Sequence, residues 1–221
     1  MTNAKVGRPY NAPRREEQAA ATRDAIITAA STLFAKNGYA ATTMAAIAAQ
    51  ARVTPKSVYA LADKPQLLLL AVDRAIAGDD APVAVADRPQ MRAIQAARDL
   101  REQARLIALL GAPTLLRLYP IYRAFEQAAA TDPALHQAWR EYQRRRRTDV
   151  RHLVGTIADA GGLRPGLSVE HATDTLWALI TWHAVALLVE ERGWGIPQLT
   201  RWLEDTYLAL LGPTPEPDPR T

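Results

Sequence analysis

The chain reads as an all-α protein. No stretch alternates apolar and polar residues over a strand's length, whereas apolar residues recur at three- and four-residue spacing. Alanine is abundant, and Thr54-Pro55 and Asp132-Pro133 each pair a capping residue with a proline at the first helical position. At 221 residues and 48% hydrophobic, the chain is long enough for one large or two small domains around a sizeable core.

The elements follow in order. Residues 1–15 carry Lys5, Arg8, Arg14 and Arg15 among prolines and are expected to form a flexible basic arm. From residue 16 to about Lys36, Ile26, Ala30, Leu33 and Phe34 share one helical face, and Asn37-Gly38 supplies the stop. Thr42 or Thr43 caps a short helix running to Ala51. Thr54 caps a second, which ends near Leu61, and Asp63 opens a longer one through residue 77. The Asp- and Pro-rich residues 78–89 form a plausible domain junction. Beyond it, helices are expected at 89–111, 113–130, 133–161, 167–192 and 195–211, with Pro113 and Pro120 breaking or kinking the region between the first two. Residues 213–221 read as a disordered tail.

Charge narrows the function. Residues 1–64 hold nine Lys/Arg against four Asp/Glu, a net +5; the remainder holds eighteen against nineteen, a net −1. The excess at the amino end suggests contact with a polyanion. There are no cysteines, which excludes disulfides and thiolate metal sites. The start has no apolar signal segment, and the run Leu176 to Val189 is too short to span a bilayer, so a cytoplasmic protein with no membrane partner is expected.

The stretch "AIAAQARVTPKSVYAL", residues 46–61, carries the most information. Ile47 and Ala51 are one turn apart, as are Val58 and Leu61, and Val53 lies between the two turns. This is the spacing of a helix-turn-helix, two short helices crossing around a small shared core. Lys56, Ser57 and Tyr59 remain on the outer face of the second helix, where a major groove can be read. Arg52 stands at the turn position that favours glycine, and should cost about 1 kcal/mol if it adopts a left-handed conformation.

Residues 23–72 resemble the DNA-binding domain of TetR-type (tetracycline-repressor-like) transcriptional regulators. The resemblance rests on Ala29, Leu33-Phe34, Gly38-Tyr39, Thr42-Thr43, Ile47-Ala48, Val53-Thr54, Tyr59, Lys64 and Leu67-Leu68. The carboxyl-terminal half resembles one branch of the same family in "DPALHQAWREYQRRRRTDV", "GLRPGLSVEHATDTLWALI" and "LLVEERGWGIPQLTRWLEDTYLALL". Three departures stand out: Arg52 for glycine, Leu61-Ala62 for the usual Tyr-Phe pair, and one residue fewer before Lys64. The resemblance implies residues 16–62 as the helix-turn-helix domain, 63–77 as a connecting helix, and 78–212 as an effector-binding and dimerisation domain. It further implies that Thr43, Thr54, Pro55, Lys56, Ser57, Tyr59 and Lys64 meet DNA. Arg8, on an extended basic arm, is a candidate for a minor groove, the alternative being an arm that engages nothing.

In the second half, the helix around Leu176–Val189 is apolar almost all round and needs covering on every side. With a stripe at Ile196, Leu199, Leu203 and Leu210, it suggests a two-chain four-helix bundle, which the resemblance also implies. Leu176, Leu188, Ile196, Leu199, Trp202 and Leu203 are the candidate contacts of a homodimer. Tyr119, Tyr122, Phe125, Trp139, Trp177 and His183 are candidates for an effector cavity, expected to be mostly apolar with few formal charges. Taken singly, each aromatic fits plain core better, and His183 fits a hydrogen-bonded core histidine better than a ligand contact. Arg144 to Arg147, with Arg140 and Arg151, are expected to solvate their helix.

No metal signature, cofactor motif or catalytic arrangement is present in the sequence. The expected function is a dimeric DNA-binding regulator, a repressor released from an operator by a small effector. The competing readings are a constitutive structural DNA binder and, behind it, an enzyme using the helical cavity.

Overall fold

The computed structural model describes residues 12–78 and 89–213, with side chains from residue 16 onward. Arg8, residues 79–88 of the 78–89 junction and the tail beyond 213 lie outside the described residues. Among those described, the regular structure is ten helices: α1 (Ala12–Ala41), α2 (Met44–Ala51), α3 (Pro55–Leu61), α4 (Lys64–Ala77), α5 (Pro89–Ala96), α6 (Leu100–Ala129), α7 (Pro133–Asp159), α8 (Val169–Leu179), α9 (Trp182–Ala186) and α10 (Ile196–Leu211). A π-helical turn, Leu187–Glu191, extends α9.

Helix starts follow side-chain caps. Thr43, Thr54, Asp63, Asp99, Asp132, Ser168 and Thr181 each accept a backbone N–H from the first turn they precede. α1 begins four residues before the expected start, and its helical geometry ends at Gly38, where φ is +76°. Three expected boundaries change. The helix foreseen at 89–111 breaks at residues 97–99, because Asp99 caps a new helix through the amide of Glu102. That new helix then runs to Ala129 through both Pro113 and Pro120, so neither proline ends it. The helix foreseen at 167–192 breaks at Ile180–Thr181, where Thr181 caps α9, and the two parts meet at 41°.

α6 is the central element; it packs against α1, α4, α5, α7, α9 and α10. It joins two buried clusters. One unites Ile26 and Phe34 of α1, Ile47 of α2, Val58 of α3 and Leu67 and Leu68 of α4 with Ile121 and Phe125 of α6. The other unites Ile107 of α6, Ile157 of α7, Leu176 of α8, Val185 of α9, and Leu199 and Leu203 of α10. Among the described residues, α6 alone is long and apolar enough to cross a membrane, and α8 with α9 qualifies if that bent pair is counted as one span. Both also supply buried residues to these clusters.

Candidate functional site

The first site is built on α2 and α3. α2 ends with Arg52 in the left-handed region, φ 58° and ψ 39°. Val53 N–H donates to Ala48 O (3.0 Å) and Arg52 N–H to Ala49 O (3.2 Å), the paired bonds of a Schellman turn. Arg52 is the one non-glycine residue with positive φ among those described, so the turn is strained as the sequence indicates. The chain then reverses into α3. There Thr54 Oγ1 accepts Ser57 N–H (3.2 Å) and lies 2.9 Å from Ser57 Oγ. Val58 is wholly buried beneath this helix, while Lys56 and Tyr59 stand outside, Tyr59 at 64% exposure. A large, solvent-facing tyrosine beside a lysine and a helix N-terminus is a surface without an internal purpose. Its donors suit phosphate and base edges.

Thr43 and Pro55 are exposed on the same two helices, and Ser57 is half-buried. Thr43 Oγ1 and Thr54 Oγ1 already accept capping bonds, so both threonines have a structural role whatever they contact outside. Lys64 opens α4. Its Nζ lies 4.3 Å from the centroid of the Tyr39 ring and donates to Ala40 O (3.4 Å), and partial burial lowers its pKa. A reciprocal capping box between Asp63 and Gln66 fixes the start of α4 at Lys64.

The second site lies between α4, α6, α7 and the α8–α9 break. An outer cleft of about 600 Å³ is walled by Asp73, Ile76 and Ala77 of α4 and by residues of α6 and α7. An inner chamber of about 240 Å³ adjoins it, and Tyr122, Tyr142, Arg146 and Trp182 line both. Of the six aromatic candidates, Tyr122, Trp139, Trp177 and His183 line the inner chamber. Phe125 does not: it is fully buried, with its ring edge-on to Trp139 at 5.1 Å. Tyr119 packs against the second cluster instead. His183 is not a core histidine either, because its Nε2 sits 3.2 Å from Glu126 Oε2 on a largely exposed side chain. Nor is the cleft poor in charge. Asp73, Glu141, Arg144, Arg145, Arg146 and Asp149 all line it.

Sequence reasoning missed Tyr142, Gln143, Trp182 and Arg146. Tyr142 and Arg146 could have been found, since Trp139, Tyr142 and Arg146 fall at i, i+3, i+7 on one face of α7. The arginine run is not a uniformly solvated face. Arg147 pairs with Glu170 and Asp174, both at 2.8 Å, and Arg151 pairs with Glu170 at 2.5 Å, tying α7 to α8. Arg146 turns inward, and its Nη2 donates to the main-chain oxygens of Trp177 (2.9 Å) and Ile180. Burial pulls its pKa below the usual guanidinium value, yet arginine remains charged at neutral pH.

Three proposed dimer contacts also change place. Leu176, Leu199 and Leu203 are buried within their own chain at 1% exposure or less, so they are not surface. Ile196 is exposed, and Leu188 and Trp202 are half-buried. Leu179 and Leu187, 51% and 63% exposed, extend the same region.

The two sites define a helical protein that presents a helix-turn-helix at one end and a lined cavity above it. Comparison with protein families agrees. The model for bacterial regulatory proteins of the tetR family matches residues 26–67, and that for the carboxyl-terminal part of BetI-type transcriptional repressors matches residues 119–212. The chain belongs to the TetR family of DNA-binding transcriptional regulators. Comparison with curated proteins gave no match. Solved structures share the fold at low identity. The fatty acid degradation regulator FadR from Bacillus halodurans is 17% identical with a TM-score of 0.66, covering 96% of this chain and 99% of its own. A transcriptional regulator from Saccharomonospora viridis in complex with choline is 20% identical at 0.64, covering 84% and 95%. NalD, the secondary repressor of the MexAB-OprM multidrug efflux pump in Pseudomonas aeruginosa, is 21% identical at 0.63, covering 89% and 99%.

Proposed function

We propose that this regulator is a homodimeric repressor whose grip on an operator is loosened by a small molecule bound between α4, α6 and α7. The carrying observation is the double membership of α4. Its Leu67 and Leu68 belong to the buried cluster that seats α2 and α3, and its Asp73, Ile76 and Ala77 wall the outer cleft. A ligand that holds the cleft in one shape therefore acts on the helix that carries the reading head. Displacing α4 changes the separation of the two recognition helices in a dimer, which must match grooves about 34–36 Å apart. The exposed apolar side chains of Leu179, Leu187 and Ile196 supply a surface for the second copy. Lys56 and Tyr59 serve as DNA contacts, with Thr43, Thr54, Pro55 and Ser57 shaping the approach and Lys64 pre-oriented by Tyr39.

A ligand that loosens DNA must bind the DNA-free form more tightly, and linkage makes the effect reciprocal. The test measures the affinity of a cavity ligand with and without saturating operator. A difference of roughly 5- to 150-fold is expected for a working switch. Equal affinities for every cavity ligand would leave a constitutive DNA binder as the better account.

A further inference from the structure

We propose that the inner chamber takes a single-ring aromatic ligand bearing acceptor oxygens, a carboxylate or a carbonyl; this rests on the chamber being part of the effector site. Its walls are aromatic: Tyr122, Trp139, Tyr142, Trp177 and Trp182. Tyr122 stands edge-on to Trp139 at 6.1 Å, and Trp182 stacks on His183 at 3.7 Å. At about 240 Å³ the chamber admits one ring with a small substituent.

The polar atoms set the ligand's chemistry. Among the described residues, five buried side-chain polar atoms have no hydrogen-bond partner within the chain. Four of them, Tyr122 Oη, Gln143 Oε1, Trp177 Nε1 and Trp182 Nε1, belong to residues that line this one chamber. An indole N–H can only donate, so two of the four require an acceptor, and the tyrosine hydroxyl can supply a third donor. A buried donor left unpaired is costly, which is why such groups gather where a ligand completes them.

Charge points the same way. Aromatic walls by themselves also suit an organic cation. Here, however, the guanidinium carbon of Arg146 already lies 5.9 Å from the Trp177 ring centroid, so that ring has a resident cation. The chamber's carboxylate, Glu126, is engaged by His183 at 3.2 Å. A second cation would meet the charge of Arg146, and the chamber's carboxylate already has His183 against it, whereas a carboxylate or carbonyl oxygen meets the indole and phenol donors beside that guanidinium.

The experiment is titration calorimetry on the full chain without DNA, using benzoate, benzamide, toluene, tetramethylammonium and choline as probes. Benzoate and benzamide should bind at least tenfold more tightly than toluene. Trp177→Phe and Trp182→Phe keep the aromatic wall and remove one N–H each. Each should weaken benzoate roughly five- to tenfold while changing toluene less than twofold, the pattern of a lost hydrogen bond. The proposal is overturned if tetramethylammonium or choline binds more tightly than both oxygen-bearing rings. It is equally overturned if toluene matches benzoate, if the Trp→Phe variants leave benzoate unchanged, or if neither oxygen-bearing ring binds at about 10 mM, a Kd too weak for a built site. Repeating the titration with operator separates the two readings. Benzoate that binds without loosening DNA sinks the release mechanism and keeps the ligand class; choline that binds and loosens DNA does the reverse.

Discussion

Arg146 on α7 donates to the main-chain oxygen of Trp177 on α8 at 2.9 Å, and through the same Nη2 to the oxygen of Ile180. These carbonyls lie where α8 ends and the chain turns into α9, so they lack the partners a continuing helix would give them. The guanidinium thus caps a helix from 34 residues away and holds open the break beside the inner chamber. Arg146→Met keeps much of the apolar stem but leaves both oxygens unpaired. It should lower stability by about 2–4 kcal/mol, read as a reduced urea midpoint. An unchanged midpoint would mean that water replaces the guanidinium and that the break does not depend on it.

That break shows where sequence reading stops. The caps at Thr43, Thr54 and Asp63 were legible because a cap is local: the acceptor side chain and the amide it receives are three residues apart. The interruption at Ile180 was only half local: Thr181 caps α9 through the amide of Ala184, but the arginine that holds the end of α8 lies on another helix. The cap at Asp99 is equally local, but the apolar spacing on either side of residues 97–99 looks continuous and hides it. The aromatic chamber was half legible. Residue type marked Tyr122, Trp139 and Trp177 as large aromatics in the helical half, but residue type does not tell a cavity wall from packed core, as Phe125 shows. In the same way, a helix apolar all round does not reveal which side its own chain covers. Leu176, Leu199 and Leu203 turned out to face inward.

Lys56 and Tyr59 project from α3 away from the buried Val58. Lys56→Ala and Tyr59→Phe should therefore each weaken operator binding by roughly 1–3 kcal/mol, measured by fluorescence anisotropy, while the thermal midpoint stays unchanged. Normal affinity in both variants would remove α3 as the reading helix.

Arg52 holds a left-handed conformation at φ 58°. Arg52→Gly relieves that strain and should raise unfolding free energy by about 1 kcal/mol, a value reduced somewhat by glycine's extra freedom in the unfolded chain. Denaturant titration reads this directly. A loss of stability would show that the Arg52 side chain contributes more than its backbone costs.

Tyr207 is buried on α10, and burial raises its phenol pKa to about 12, with Arg146 pulling it slightly back. Because the folded value lies above the unfolded one near 10, the neutral phenol's contribution is complete below pH 10. It is lost as pH rises from 10 to about 12, at a cost of about 2–3 kcal/mol. Tyr207→Phe has nothing to ionise, so its alkaline unfolding midpoint, followed by circular dichroism, should move to higher pH. A midpoint unchanged from the wild type would mean that Tyr207 does not govern the transition.

The central claim is that the α2–α3 unit of this TetR-family chain reads a specific DNA sequence as a pair. Selection from random duplex DNA with the full chain tests it most directly. The account predicts enrichment of an inverted repeat whose half-sites lie about one helical turn, ~34–36 Å, apart, and loss of that enrichment with Lys56→Ala. Recovery of DNA no different from the input pool, with binding that depends only on salt, would contradict it.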